Sequence, residues 1–248
     1  VTCGAPLCMV IYNENQHSAD YNNIIDTPRP SHADYSAFVK HNGFNDVSGG
    51  GHFSGRLTAP LCFAGAVCMQ ILEDMGVEIQ AHIQKIKNVY DDEIDFVNIG
   101  KWNTAEKEFP VINDEKGKLM IAEIEKAREN GDSVGGVIQC AVTGVKAGFG
   151  DPMFDGVENK LSKNIFGIPA VKGIEFGNGF SATDLYGSEN NDEFCTINGD
   201  IKTKTNNAGG INGGITNGMP IIFRTAIKPT PSIFKEQNSV SLQNKTEE

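Results

Sequence analysis

Positive charge is scarce in this 248-residue chain: 21 Lys and Arg stand against 32 Asp and Glu, a net charge of -11. Nucleic acids and anionic membrane surfaces call for a basic face, so the balance disfavours both as partners. A small anionic substrate stays open, because a few arginines converging in a cleft set the local potential whatever the outer surface carries. Six cysteines, at 3, 8, 62, 68, 140 and 195, form no CxxC pair and no zinc-type cluster with histidine. No metal site and no disulfide framework are therefore expected. Cys62 and Cys68 fall inside an apolar helical pattern and read as reduced core thiols of a cytoplasmic protein. No run reaches the ~18 apolar residues of a membrane span. The first ten residues lack the charged start of a signal peptide. An initiator Met is missing too, and residues 1–12 read as a chain entered mid-domain. There is no Walker A sequence, no GxGxxG after a strand, no readable Ser-His-Asp order and no internal repeat, which sets aside nucleotide triphosphatases and dinucleotide binders.

What is present suits one sizeable core, at 39% apolar residues. Residues 7–12 form an apolar run fit for a buried strand, followed by a polar loop over 13–23 that holds His17. Pro28 and Pro30 keep the backbone extended up to Ser31, placed to cap a helix over 33–40. Residues 57–75 repeat apolar side chains every three or four positions and predict a buried helix, with Pro60 in its first turn and Gly76 as its stop. A strand over 77–89 is expected, with His82 on it as a structural or solvent-facing group. An amphipathic helix over 116–130 ends at Asn130-Gly131. A strand over 134–145, a helix over 157–164 and strands over 170–176 and 221–227 complete the pattern. The irregular alternation favours α+β over a doubly wound sheet. Residues 1–235 are taken as one domain and 236–248 as a frayed polar tail. The glycine- and asparagine-rich stretch 206–218 interleaves isoleucines, which suggests backbone wrapped tightly against something flat or charged.

Three stretches could carry chemistry. Arg29 and His32 stand three apart in a proline-framed loop, a cation beside a titratable imidazole. Gly49-Gly50-Gly51-His52-Phe53-Ser54-Gly55-Arg56 runs into a helix, where free N–H groups favour an anion. Lys228-Pro229-Thr230-Pro231-Ser232 ends a strand with an ammonium and two hydroxyls on stiff backbone. Arg224 shares a strand face with Lys228, a further hint of an anion. Each stretch alone has a plain alternative, respectively a solvated loop histidine, a glycine turn and a strand exit. Together they stop at an α+β protein with loops suited to a phosphorylated ligand.

The wording and order of these segments resemble the chorismate synthase family. Arg29-Pro30-Ser31-His32-Ala33-Asp34 is similar to its Arg-Pro-Gly-His-Ala-Asp signature, and residues 49–59 to its Gly-Gly-Gly-Arg-Ser-Ser-Ala-Arg-Glu-Thr-Ala block. Gly148-Phe149-Gly150-Asp151-Pro152-Met153-Phe154-Asp155, the stretch 168–180, Gly187-Ser188-Glu189 with Asn191-Asp192, residues 207–218 and Lys228-Pro229-Thr230 continue the resemblance in order. It implies a layered β-α-β sandwich of antiparallel sheets with helices packed between them. It also implies a cytoplasmic homotetramer that eliminates phosphate from 5-enolpyruvylshikimate 3-phosphate in a 1,4-anti sense to give chorismate. Reduced FMN (FMNH2) lends and recovers an electron, with NADPH as one candidate reductant. Carried over by position, His32 is the catalytic histidine facing reduced flavin, and Arg29 and Arg56 grip the substrate. His52, Phe53, Ser54, Pro169, Ala170, Gly213, Lys228, Pro229, Thr230, Pro231 and Ser232 contact the cofactor. The sequence departs from the pattern at Ser31 for Gly, His52-Phe53 for Arg-Ser, Gly55 for Ala, Leu57 for Glu, and Pro169 where Asn is common. The family's Phe-Gly-Glu-Ser-His-Gly and Gly-Arg-His-Asp-Pro motifs do not occur in the chain. The alternative expectation is a catalytically inert fragment able at most to associate with family subunits.

Overall fold

The computed structural model describes residues 3–14 and 25–247, apart from the side chains of residues 48–50. His17 and most of the expected 13–23 loop lie outside the described residues. The helices are α1 (Asp34–Lys40), α2 (Thr58–Asp74), α3 (Asp114–Glu129), α4 (Val157–Ile165) and α5 (Gly187–Asn190). The strands are β1 (Glu78–Ile86), β2 (Val89–Tyr90), β3 (Gly136–Thr143), β4 (Val171–Phe176), β5 (Phe194–Ile197), β6 (Asp200–Thr203), β7 (Ile211–Asn212), β8 (Ile215–Thr216) and β9 (Ile221–Ile227). The chain divides into two units, one formed by Val1–Cys68 with Pro231–Glu248 and the other by Met69–Thr230.

The second unit is built on a five-stranded antiparallel sheet in the order β2-β1-β3-β9-β4. Successive side chains of a strand point to opposite faces, and here each face has its own cover. Cys140 and Phe223, with Ile221, point to a face where Val157, Leu161 and Ile165 pack. Those three recur every four residues, which is how α4 turns one apolar stripe onto the sheet. Ala141 and Ile222 point the other way, against Trp102, Ile94, Phe96, Ile99 and Ile112 from the long connection after β2. The acidic, mixed composition of that connection hides its apolar teeth, which follow no helical or strand period. The order of strands and helices, with wholly antiparallel pairing, makes the fold α+β.

A buried polar network sits in the same sheet. His82 and Gln139 face each other across the β1–β3 ladder. The His82 side chain is fully buried, with Nδ1 2.7 Å from Asp91 Oδ2, Nε2 2.9 Å from Gln139 Oε1, and the Trp102 ring edge-on at 5.0 Å between centroids. Burial opposes charge on Asp91, yet N–H donation from Ile112 and Asn113, joined by His82, holds its carboxyl below the usual range. His82 is thus the structural histidine of its two expected roles. Nearby, Asn113 caps α3 by accepting from the N–H groups of Glu115 and Lys116, with Asp114 and Glu115 in the first turn and Gly131, at φ 65°, just past the last.

The segment over 206–218 is wrapped against its own chain. Asn206, almost wholly buried, donates from its amide to Phe96 O and Pro220 O and accepts from Gly210 N–H. Asp192 accepts from the backbone N–H groups of Asn207 and Ala208. Gly213 and Gly214 form the two-residue turn between β7 and β8, both at positive φ, as a hairpin of that length demands.

Three expectations are corrected. Residues 7–12 form no strand and are largely exposed. Among the described residues nothing pairs with them, and strand backbone needs a ladder partner for its N–H and C=O groups. Helix α2 forms where the apolar spacing puts it, but none of its residues is buried, and Cys62 and Cys68 are exposed rather than core thiols. Spacing selects a helix; burial needs a partner surface. The stretch Gly55–Asp74 is also long and apolar enough, by length and composition, to cross a membrane, contrary to the expectation that no run reaches that length. The 236–248 tail is tied to the first unit: Ser241 Oγ donates to Asp26 Oδ2 at 2.8 Å, and the N–H groups of Leu242 and Gln243 reach Asp26.

A methyl group at Gly177, where φ is 54°, would fall on the Asn207 carbonyl oxygen and the Gly209 N–H. Both groups, and the Ala208 carbonyl carbon beside them, are backbone and cannot swing aside. Gly177→Ala is expected to destabilise the protein by about 2–4 kcal/mol, combining clash with left-handed strain. Urea unfolding of the two chains checks this.

Candidate functional site

The loop before α1 gathers a guanidinium, an imidazole and a carboxylate. Ser31 adopts φ 61°, the left-handed region, and reverses the backbone so that His32 N–H reaches Arg29 O at 3.2 Å. Ser31 therefore does not cap α1; Ala33 occupies the cap position without a side-chain bond. The family signature places glycine at this position, and the positive φ supplies the reason.

The turn lays Arg29, His32 and Asp34 together. Arg29 Nε donates to Asp34 Oδ2 at 2.8 Å and Nη2 to Oδ1 at 2.9 Å, a forked pair, while the Arg29 backbone N–H adds a third bond at 3.0 Å. His32 Nδ1 lies 2.6 Å from Asp34 Oδ1. Arg29 Nη1 donates to Ser232 Oγ at 2.9 Å, which brings the exit loop beyond Pro231 to the cluster. The three side chains are 11–23% exposed, partly shielded but reachable. Burial works against the charge of Asp34, but hydrogen bonds from Arg29 and His32 hold its carboxyl far below the usual carboxylate range.

The second half of the glycine block lies in two short 3-10 turns, Ser48–Phe53 and Gly55–Leu57. Ser54 Oγ accepts from Arg56 N–H at 3.4 Å. His52, Phe53 and Arg56 are exposed. Among the described residues, no hydrogen bond or ion pair joins them to Arg29 or His32.

In the second unit, Ala170 takes φ 69° and its carbonyl accepts from Lys228 N–H at 2.9 Å, which pins the start of β4 to the end of β9. Pro169 precedes that strained residue. Thr230 O accepts from Ser133 Oγ at 2.7 Å, and Gly135 leaves room for Pro229, since a Cβ there would press on the proline and on Ile227 O. Gly213 is exposed at its turn with open space beside its α-carbon. Arg224 does not wait for an anion. Its Nη2 donates to Gly177 O at 3.0 Å and Asn178 O at 3.1 Å, and Nε stands 3.1 Å from Glu175 Oε1, off the line of a hydrogen bond. The anion read from the Arg224–Lys228 face is thereby corrected for Arg224, whose charge is consumed inside the fold.

The structure thus brings Arg29, His32 and Ser232 together in one unit, and Ala170 with Lys228 in the other. Asp34, Glu175 and Asp192 were not singled out by sequence reasoning. For Asp34 a signal existed, since a carboxylate two residues after a histidine in a stiff loop has few other places to go.

The antiparallel sheet with its helix and loop covers marks an α+β protein, and the residues at its loops are those of one enzyme family. The chorismate synthase family model matches residues 1–248, and the chain belongs to that family. It is 46% identical over 245 residues to the chorismate synthase of Korarchaeum cryptofilum, covering 98% of this chain and 67% of that protein. With the Pyrococcus abyssi chorismate synthase it shares 44% over 247 residues, covering 99% and 68%. A crystal structure of chorismate synthase superposes with a TM-score of 0.67 at 32% identity, over 72% of this chain and 56% of the other. The chain spans about two thirds of the length of these curated relatives.

Two outcomes follow from the loop geometry. Ser31→Gly should raise stability by about 0.5 kcal/mol, because left-handed strain of about 1–2 kcal/mol is relieved against roughly 0.5–1 kcal/mol of added unfolded-state entropy; thermal melting reads the shift. Asp34→Asn should cost about 2 kcal/mol at neutral pH by breaking a partly buried ion cluster. A depressed carboxyl contributes stability above its ordinary value of 3.8 and loses it as pH falls toward the folded value. The difference between wild type and Asp34→Asn should hold from pH 7 to about 4 and close only below that; urea midpoints at stepped pH test it.

Proposed function

We propose that the chain acts as a chorismate synthase, eliminating phosphate from 5-enolpyruvylshikimate 3-phosphate in a 1,4-anti sense. The observation that carries this is the Arg29–His32–Asp34 cluster, formed by the same residues that match the family signature. Within each unit, the residues that match the family pattern are of types that suit reduced FMN. Phe53 offers an exposed aromatic face, Arg56 offers a cation for a phosphate, Lys228 matches the family pattern by position, and Ser54, Thr230 and Ser232 offer hydroxyls. Gly213 keeps a stretch of backbone open to close approach by a flat ring. Pro169 and the strained Ala170 shape a second stretch of the same kind, and His52, Pro229 and Pro231 stiffen or flank these contacts.

Held by these residues, reduced FMN would supply the transient reducing electron that allylic C–O cleavage needs, without net oxidation. The chain's own residues do the rest. His32 would hold a proton at its ring and offset negative charge on the flavin. Arg56 neutralises a carboxylate or phosphate of the substrate. Arg29 contributes through the residual N–H capacity of its guanidinium, most of which Asp34 and Ser232 already take. NADPH is a candidate source of the reducing equivalents. A cytoplasmic homotetramer belongs to the same reading, supported by the exposed apolar side chains of α2, among them Leu61 and Ile71, which a subunit contact would cover.

The test is phosphate release from 5-enolpyruvylshikimate 3-phosphate with dithionite-reduced FMN under anaerobic conditions. His32→Ala should lower the rate about 100-fold, the scale of a lost proton-handling group. Equal rates in the two chains, or no flavin-dependent release from the wild type, would sink the reading.

A further inference from the structure

We infer that Asp34 is the positioning residue of His32: it holds Nδ1 as the protonated nitrogen, so that Nε2 is the one the ring presents to a ligand. The inference rests on the proposed role of His32, but its geometry is independent of flavin.

A carboxylate oxygen accepts and does not donate, so the 2.6 Å contact between Asp34 Oδ1 and His32 Nδ1 puts the proton on Nδ1. The partner of one ring nitrogen decides which tautomer the other nitrogen shows. Asp34 cannot rotate to release this bond cheaply. Both of its oxygens are fixed by the forked Arg29 guanidinium, and the Arg29 backbone N–H adds a further hold on Oδ2. Arg29 is in turn latched by Ser232 Oγ, two hundred residues along the chain.

Arg29 Nη2 also approaches the ring, 3.0 Å from Nδ1 and 3.2 Å from Nε2. A donor nearly equidistant from both nitrogens cannot lie in the ring plane without colliding with ring carbon. It therefore lies off the ring plane, with its N–H directed at the ring face, and leaves the in-plane direction of Nε2 open to a ligand. Arg29 and Asp34 neutralise one another beside the ring, so the imidazole is oriented by a pair that adds little net charge. On this account Arg29 is chiefly a clamp on the positioning carboxylate rather than a substrate grip.

The experiment uses the chain with its histidines labelled in the ring with nitrogen-15, and a long-range proton–nitrogen spectrum taken where the imidazoles are neutral. His32→Gln identifies the His32 signals. The wild type should show His32 as the Nδ1–H tautomer, the reverse of the Nε2–H form favoured by free imidazole side chains. Asp34→Ala should return it to mainly Nε2–H, whereas Asp34→Asn, whose amide oxygen can still accept, should retain a majority of Nδ1–H. A wild-type His32 in the Nε2–H form overturns the proposal, and so does a folded Asp34→Ala chain that keeps Nδ1–H. If Asp34→Ala does not fold, the wild-type tautomer alone decides. Adding FMN to the same samples separates this from the functional reading: His32 signals indifferent to FMN count against flavin binding and leave the tautomer result standing.

Discussion

The pairing of β3 with β9 at the middle of the sheet is the contact on which the second unit depends. Seven consecutive residue pairs, from Gly136 with Ile227 to Val142 with Ile221, fix the register. A slip of one residue would exchange the two faces, moving Ile222 and Ala141 from the Trp102 side to the α4 side. Ile222 is completely buried and Ala141 nearly so, and each face has a cover of different shape. The same register sends Arg224 toward Glu175 and the carbonyls of Gly177 and Asn178, and delivers Lys228 to Ala170. The position of the expected cofactor loop is therefore an outcome of core packing rather than of the loop's own preferences.

Much of this was legible in the amino-acid order. The strands around Val137, Ile174 and Ile222 carry β-branched runs bounded by glycine or proline, and α3 announces itself through its apolar period and Gly131. What was illegible has a common cause. Local pattern reports what a segment prefers, not what covers it. Residues 7–12 have the composition of a strand and no ladder partner, and α2 has the period of a core helix and no core. The stretch from Ile94 to Ile112 shows the reverse: a composition that reads as loop, yet with apolar side chains spaced to fit one sheet face and a carboxylate, Asp91, that organises its entry.

Glycine was informative in two opposite ways. In the 206–218 segment its density suggested a ligand, but Gly209, Gly210 and Gly214, like Gly177 packed against them, are required because other backbone lies where a side chain would be. Gly213 alone in its hairpin turn faces open space, so only there does the absence of a side chain leave room for something outside the chain. At Ser31 the logic inverts. A left-handed residue that is not glycine carries strain, and the turn it makes is the one that folds His32 back over Arg29.

That strain has a physical counterweight. A single carboxylate, Asp34, receives three bonds from Arg29 and one from His32, and the charge-assisted bonds among them are individually stronger than neutral ones. In a chain with eleven excess negative charges, one more exposed carboxylate would add only repulsion. Placed between a guanidinium and an imidazole it does the opposite, and it holds the loop in a conformation that Ser31 alone resists. The residues needed to keep the turn closed are the residues that orient the imidazole, so loop stability and the direction of the ring are set by the same few bonds. A change that loosens one loosens the other, which is why an arginine that looks available to a ligand in the sequence is, in the fold, already committed.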